Sequence, residues 1–155
     1  MVEAGRDFVG VGVGALVFDS AGRVFLARRG PAVTNEAGTW EFPGGAVEYG
    51  ERLADAVCRE FVEEYGMHIT VERVLGVFDH ILPAEQQHWV SVTFVAGHGA
   101  PDEPVIREPE KCSAIGWFEL SALPEPLSQV SRENLTAYLG SEASADPAGQ
   151  QGLHR

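Results

Sequence analysis

Residues 45–67 read GAVEYGERLADAVCREFVEEYGM and contain the clearest helix in the sequence. No glycine or proline interrupts residues 51–65, and Gly66 follows as a typical C-terminal stop. Apolar side chains recur along this stretch at helical spacing, which predicts that one face of the helix is buried. That face consists of Ala54, Val57, Cys58, Phe61 and Tyr65.

Three carboxylates occupy a neighbouring side of the same predicted helix. Glu60, Glu63 and Glu64 stand at positions i, i+3 and i+4, and that spacing confines them to an arc of roughly 100°. Acids this close repel one another, and a divalent cation would offset the repulsion. Clustered oxygen ligands suit Mg²⁺ or Mn²⁺. A solvated acidic helix face would give the same pattern, so the surrounding residues have to decide between the two interpretations.

The residues around the acids stand at fixed distances from them. The pattern is a glycine, five residues, Glu, seven residues, Arg-Glu, two residues, Glu-Glu, one residue and a final glycine; it is met by Gly45, Glu51, Arg59, Glu60, Glu63, Glu64 and Gly66. This pattern resembles the Nudix box. Phe61 and Met67 depart from it, because the family has aliphatic residues at these two positions, but both remain apolar. So many fixed positions make the resemblance specific.

The resemblance covers roughly residues 9–139. The segment WEFPGG at 40–45 resembles the start of the box in bacterial members that cleave nucleoside triphosphates. The segments HWVSV at 88–92 and EPEKC at 108–112, followed by Trp117, resemble a branch of the family with plant and human members.

The resemblance implies a role for each box residue. Glu60, Glu63 and Glu64 would hold Mg²⁺, with Mn²⁺ as an alternative, and the carbonyl group of Gly45 would add a ligand. Family members differ in their general base; Glu60 is the first choice here and Glu63 the second.

Further roles fall outside the acid cluster. Glu51 and Arg59 would pair as a structural brace for the catalytic loop, since a planar guanidinium grips a carboxylate well. Glu110 is the best candidate for a further metal ligand or base from another loop. Glu108 competes with it, and an exposed loop acid is the plain alternative.

The first predicted strand carries glycine at alternate positions. Gly10, Gly12 and Gly14 would leave one face nearly bare, and a flat base could lie there. Close helix–sheet packing would explain the same glycines.

Other substrate contacts are harder to assign from the sequence. The candidates are Phe42, Gly44, Arg28 and His88. Phe42, Trp40 and Trp89 could stack on a ring, although aromatic residues at such positions are more often part of the core. Arg28 and Arg29 are neighbours, so only one of them would face the cleft from a strand.

The chain has 155 residues, the length of one ordinary domain. Its formal net charge of −12 disfavours binding to a nucleic-acid polymer, whereas a small phosphorylated substrate remains possible if cations mask its charge. No signal peptide and no apolar run of membrane-spanning length is present, so no membrane partner is expected. The isolated cysteines, Cys58 and Cys112, favour the cytoplasm over an oxidising compartment, and we interpret both as small core residues.

Hydrophobic periodicity predicts the remaining elements. Strands are expected at 9–18, 24–27, 71–82, 89–96 and 114–118, a constrained turn at 40–49, and helices at 51–65 and 127–139. This order fits an α/β or α+β sandwich. With the resemblance, the expected fold is a Nudix-type α/β/α sandwich with a mixed central sheet and a catalytic loop-helix. We expect one domain over residues 1–140 and a disordered tail over 141–155.

The leading functional hypothesis is Mg²⁺-dependent hydrolysis of a nucleoside triphosphate or a modified nucleotide to a monophosphate and pyrophosphate. Another diphosphate is the alternative: a nucleotide sugar, a dinucleotide or an isoprenoid diphosphate. A non-catalytic Nudix-fold binding module is a third possibility, but such proteins normally lack one or more box glutamates. A homodimer is expected only by analogy with relatives.

Overall fold

A computed structural model describes residues 1–145 of the chain. Its strands and helices follow the predicted order. They are β1 (Gly10–Phe18), β2 (Val24–Arg29), β3 (Trp40–Glu41), β4 (Gly44–Ala46), α1 (Leu53–Tyr65), β5 (Thr70–Leu82), β6 (Gln87–Gly97), β7 (Cys112–Phe118) and α2 (Gln129–Ala145). Short 3₁₀ turns lie at Pro83–Glu85 and Leu120–Ala122. The segment predicted as a constrained turn therefore holds the two short strands β3 and β4.

Strand β1 is the organising strand of a mixed sheet. It runs parallel to β6 and antiparallel to β2 and β4. The remaining pairs extend the sheet in the order β3-β2-β1-β6-β5, with β4 on β1 and β7 on β2. The mixed sheet, covered by a helix on each face, confirms the predicted α/β/α sandwich.

The two faces of β1 carry separate cores. Val13, Ala15 and Val17 pack in the cluster that includes the buried face of α1. Leu16 belongs to the other cluster, which includes α2 residues such as Leu135 and Tyr138. Because side chains alternate along a strand, Gly12 and Gly14 share the α2 side with Leu16. The glycine-bared face and the acid-bearing helix are thus on opposite sides of the sheet.

Helix α1 begins at Leu53, two residues after the predicted start. Glu51 instead closes a turn, in which its backbone N–H donates to the carbonyl of Glu48 at 3.0 Å. The predicted stop at Gly66 is confirmed: this residue has a φ of 65° and its N–H donates to Val62. Ala56 replaces Cys58 among the fully buried residues of the helix, and Cys58 is only half-buried.

Helix α2 extends beyond the predicted end at residue 139. It continues to Ala145, so residues 141–145, which the sequence placed in the tail, are helical. The Ser141 hydroxyl donates to the carbonyl of Tyr138, and Arg73 of β5 pairs with Glu142 at 3.4 Å. These contacts extend the helix along β5. The rest of the predicted tail, residues 146–155, lies outside the described residues.

Two simpler predictions concern the cysteines and the membrane. Cys58 and Cys112 are both free thiols, and Cys112 is buried in the core next to α1. Within residues 1–145, no helix combines the length and the apolar composition needed to span a bilayer.

Candidate active site

The acidic side of α1 lies against β4 at Glu60 and borders a cleft at Glu64. Glu60 is largely buried, with 13% of its side chain exposed, whereas Glu63 is 57% exposed. Burial, reinforced by the neighbouring charge of Glu60, raises the pKa of Glu64 to about 9. Burial also raises the pKa of Glu60. Two adjacent carboxyl groups therefore hold protons more tightly than usual, as expected where negative charges meet in a poorly solvated place.

Gly45 lies directly against this acid pair. A Cβ atom added at position 45 would overlap the carboxylate of Glu60. Strand β4, which carries Gly45, is held in place by antiparallel pairing with Val13 of β1. Glycine is therefore required here for steric reasons, since no other residue lets the backbone approach the glutamate so closely.

Arg59 and Glu51 form the ion pair that the resemblance implied. The Nε atom of Arg59 lies 2.6 Å from Oε2 of Glu51, and Nη2 lies 2.9 Å from Oε1. The same guanidinium donates to the carbonyl of Ala46 and contacts Glu60 and Glu63 at 3.0 and 3.1 Å. Arg59 thus links the loop before α1 to two of the three box acids.

The donor set fits a hard divalent cation. Glu60, Glu63 and Glu64 offer only oxygen atoms, and burial together with the charge of Glu60 raises the pKa of Glu64. In the described part of the chain, no three acidic, histidine or cysteine side chains already converge as a ligand set. Glu63 pairs with Arg59 instead, so binding of a cation would require this exposed side chain to rotate.

A cavity of about 160 Å³ opens beside the acids. Its wall includes Arg29, Glu41, Glu64, Glu108 and Lys111. Glu110, the predicted additional ligand, is exposed and is not part of this wall. The competing residue, Glu108, lines this cavity together with Glu64.

The neighbouring arginines have different positions. Arg28 is exposed, and its Nε atom donates to the carbonyl of Gly38 at 3.2 Å. Arg29 lines the cavity and donates to both carboxylate oxygens of Glu41, at 3.2 and 3.0 Å. Both arginines line this cavity, so the expectation that only one of them would face the cleft is wrong; Arg29 is the less exposed of the two.

A second cavity, of about 460 Å³, continues from the first along the α2 face of the sheet. The two cavities share Arg29, Glu41, Gly44 and Lys111. The second cavity is lined by residues of β1, β4 and β6. Its lining includes Gly12, Gly14, Phe42, Trp89, Thr93 and Asn134.

The three glycines of β1 have separate explanations. A Cβ at Gly10 would overlap the indole ring of Trp89, so this glycine serves packing. A Cβ at Gly12 would lie 3.5 Å from the carbonyl oxygen of Gly45, an ordinary contact. At Gly14 the nearest atom would be the carbonyl oxygen of Pro43 at 3.3 Å, which is tighter. Of the three positions, position 12 therefore has the weakest steric requirement for glycine.

His88 is not brought to this cleft. It lines a separate depression with Gly5, Arg6 and Phe8, and its backbone N–H donates to the carbonyl of Gly5 at 2.7 Å. Its neighbour Trp89 lines the large cavity, because adjacent strand residues point to opposite faces.

Sequence reasoning did not single out several residues of the cleft. Glu41 and Lys111 stand inside motifs that were quoted for the resemblance, but neither was assigned a role. Asn134 lies in α2, in a stretch without a recognisable motif, and is 3% exposed. The Thr93 hydroxyl contacts its Oδ1 atom at 3.0 Å. No pattern in the sequence links these two residues, which are 41 positions apart.

Comparison with known proteins agrees with this geometry. The protein-family model described as "NUDIX domain" matches residues 9–138. The chain belongs to the Nudix family. Nudix enzymes of the pyrophosphohydrolase type cleave diphosphate linkages in nucleotides, generally with divalent metals such as Mg²⁺. The chain is accordingly a Nudix hydrolase.

Individual Nudix relatives span most of the chain. A MutT NUDIX hydrolase from Burkholderia pseudomallei is 42% identical, with a TM-score of 0.73, covering 83% of this chain and 96% of that one. The CTP pyrophosphohydrolase of Escherichia coli is 31% identical over 133 residues, covering 84% of this chain and 92% of the relative. The chain spans only 46% of a longer relative, the m7GpppN-mRNA hydrolase NUDT17 of Danio rerio, at 27% identity and covering 81% of this chain.

Proposed function

We propose that this Nudix hydrolase cleaves nucleoside triphosphates or modified nucleotides, with Mg²⁺, to a nucleoside monophosphate and pyrophosphate. The observation that carries the proposal is the continuity of the two cavities. One contains the box acid Glu64, and the other has a bare backbone floor at Gly12 and Gly14. The phosphates would lie in the first cavity and a flat base in the second. The substrate would then pass the wall that the two cavities share, at Arg29 and Lys111. The CTP pyrophosphohydrolase activity named for the E. coli relative supports this arrangement.

Glu60, Glu63, Glu64 and the Gly45 carbonyl would hold the cation. When bound, the cation would neutralise phosphate charge and acidify the attacking water. A glutamate must accept the proton of that water. Glu60 accepts a hydrogen bond from Arg59 at 3.0 Å and is largely buried, whereas Glu63 is exposed. This difference supports Glu60 over Glu63 as the general base. As the additional ligand or base, Glu108 is favoured over Glu110, because it lines the cavity together with Glu64.

The phosphate chain would pass the fixed guanidinium of Arg29. Its Nη1 atom binds Glu41, and its Nε atom donates to the carbonyl of Asn35 at 3.0 Å. This holds the planar group in one orientation, which favours directed contacts to phosphate oxygens. Arg28 also lines the first cavity, but it is exposed and its Nε atom is bound to the carbonyl of Gly38, which favours a secondary role.

The base would lie on the glycine-bared floor, with Phe42 and Trp89 beside it. Asn134 is the polar group best placed to recognise the base. The Thr93 hydroxyl donates to the amide oxygen of Asn134 at 3.0 Å, which leaves the amide N–H groups for a carbonyl oxygen of the ligand. A carbonyl-bearing base such as cytosine or an oxidised guanine would satisfy this donor.

The deciding experiment is product analysis over a substrate panel. Purified protein is incubated with nucleoside triphosphates, oxidised nucleotides, nucleotide sugars, dinucleotides and isoprenoid diphosphates, with Mg²⁺, Mn²⁺ or EDTA. The proposal expects monophosphate and pyrophosphate from a triphosphate, and no turnover in EDTA. A large kcat/KM preference for a nucleotide sugar or an isoprenoid diphosphate would replace it with the alternative. Glu64→Gln is the matched control for contaminating phosphatases.

Homodimer formation stays a prediction from the family resemblance, to be checked by sedimentation of the purified protein. The cytoplasmic location is likewise a prediction, from cysteine usage.

A further inference from the structure

Lys111 is the only lysine of the chain, and it lies in the cleft. The other basic side chains are arginines, in a protein with a net charge of −12. Its side chain lines both cavities, a position shared with Arg29, Glu41 and Gly44. Apart from its pairing with Glu108, this ammonium group has no role so far.

The backbone fixes Lys111 next to the end of β2. The N–H of Gly30 donates to the Lys111 carbonyl at 2.7 Å, and the N–H of Lys111 donates to Glu108 at 3.0 Å. A Cβ at Gly30 would lie 2.6 Å from the carbonyl oxygen of Glu110, so only glycine permits this close approach. Arg29, the residue before Gly30, and Lys111 are thereby placed side by side.

The two cations differ in how firmly they are held. Arg29 is bound by Glu41 and by Asn35 and is 20% exposed. Among residues 1–145, the ammonium group of Lys111 has one ion pair, 3.5 Å from Glu108, and its side chain is 61% exposed. An exposed pair of this kind contributes little free energy. Lys111 can therefore leave Glu108 and bind a phosphate oxygen at little cost in free energy.

We propose that Lys111 binds the pyrophosphate portion of a nucleoside triphosphate and thereby selects triphosphates over diphosphates. This inference rests on the proposed function, because it assumes a nucleoside triphosphate substrate. It assigns to Lys111 the recognition of the third phosphate. Of the two cavities, Asn35, which binds Arg29, lines only the proposed base cavity, whereas Glu108, which pairs with Lys111, lines only the proposed phosphate cavity. Arg29 would therefore hold the phosphates nearer the nucleoside, and the ammonium group of Lys111 would reach the distal phosphate. A flexible side chain with three donors suits a terminal phosphate, which presents its oxygens in several directions.

The first test compares the best triphosphate substrate with its own diphosphate as a competitive inhibitor. Lys111→Gln should lower kcat/KM for the triphosphate about ten- to hundredfold, mainly through KM, because a charge-assisted hydrogen bond is lost. The Ki of the diphosphate should change by less than about threefold, since only screened, longer-range attraction is removed. Lys111→Arg should restore most of the loss. Arg132→Gln, which removes a positive charge outside the cleft, should leave both constants unchanged.

The second test uses the uniqueness of the lysine. Acetylation by an amine-reactive ester is followed at Lys111 by peptide mass spectrometry, with the N-terminal amine as internal reference. Pyrophosphate should slow labelling of Lys111 relative to that reference, and sulfate at equal ionic strength should not.

Three outcomes would overturn the proposal: equal loss for triphosphate and diphosphate, no loss for either, or unprotected labelling of Lys111. If the wild-type protein hydrolyses no triphosphate, the proposed function fails. The labelling experiment then decides alone whether Lys111 binds pyrophosphate, so the two failures remain distinguishable.

Discussion

Gly45 and Glu60 are in steric contact: the backbone of Gly45 occupies the space next to the Glu60 carboxylate, and no Cβ fits between them. We therefore expect Gly45→Ala to displace either the loop or the glutamate and to lower kcat at least about tenfold, an effect of about 1.4 kcal/mol on the barrier. Steady-state kinetics over a Mg²⁺ titration measure this. Gly99→Ala is the matched control, because nothing lies within 4 Å of a Cβ at that position. Wild-type kinetics for Gly45→Ala would contradict the contact.

The box acids can be tested at the residue with the most perturbed pKa. Glu64→Gln keeps the shape of the side chain but removes its charge, so we expect turnover to fall a hundredfold or more, on the order of 3 kcal/mol in the barrier. The fold should survive, and Glu63→Gln should show a similar loss. Glu133→Gln, on the exposed surface of α2, serves as control. Wild-type turnover of purified Glu64→Gln at saturating Mg²⁺ would remove Glu64 from the ligand set.

The Glu51–Arg59 pair predicts a joint effect on stability and activity. Arg59→Ala removes hydrogen bonds to Glu51 and Ala46 and leaves Glu51 without its cation. Both the melting temperature and kcat should therefore fall. Arg59→Lys should recover only part of either quantity, because a single ammonium group cannot reproduce the two-pronged contact. A loss of activity at an unchanged melting temperature would instead favour direct contact between Arg59 and substrate.

The raised pKa of Glu64 predicts how stability depends on pH. The ordinary carboxyl pKa is 4.5 and the folded value is about 9, so the folded protein keeps a proton that the unfolded chain releases. The free energy of unfolding should consequently fall as pH rises through this window in EDTA. Mg²⁺ competes with that proton, so its stabilising effect should grow with pH.

Thermal unfolding from pH 5 to 9, with EDTA or Mg²⁺, measures both trends. Glu64→Gln should flatten the decline in EDTA and reduce the Mg²⁺ effect. A wild-type stability in EDTA that rises across the whole window would contradict the assigned direction.

The sequence predicted the fold and the acid cluster because both depend on local spacing. The alternation in residues 9–18 and the helical spacing of Glu60, Glu63 and Glu64 each follow from backbone geometry. The orientation of long side chains did not follow in this way. Arg28 and Arg29 both line the first cavity, and the strand pairing with β7 is irregular between them, which no local pattern in the sequence predicts.

Contacts between distant segments were also beyond the sequence. Glu108 rather than Glu110 lines the cavity because of how its loop packs against α1, where the N–H of Arg107 donates to the carbonyl of Glu64 at 3.2 Å. The partnership of Thr93 with Asn134 depends on the docking of α2 against β6. A single sequence contains no local pattern for either contact.

The glycine-bared floor gives the sharpest test of substrate placement. A leucine at position 12 would project into the large cavity, where the proposed base lies, and its Cβ would meet the carbonyl oxygen of Gly45 at a tolerable 3.5 Å. Gly12→Leu should therefore raise KM for nucleoside triphosphates about tenfold or more, the effect of losing one well-placed contact surface, while the fold is retained. Gly14→Leu should also raise KM. Its Cβ would lie closer to a backbone oxygen, 3.3 Å from the carbonyl of Pro43, so this variant should lose more stability than Gly12→Leu.

The control for this variant lies on the opposite face of the same strand. Val13 is among the residues that line the large cavity, but it is only 3% exposed and its side chain packs in the cluster with α1. Val13→Ala should therefore lower the melting temperature without a specific change in KM. Val11 is 44% exposed on that face, and its substitution should cost less stability than that of Val13. Kinetics on stably folded Gly12→Leu decide the matter: an unchanged KM for every nucleotide in the panel would place the base elsewhere. The Nudix assignment would stand, because it depends on the box and not on this cavity.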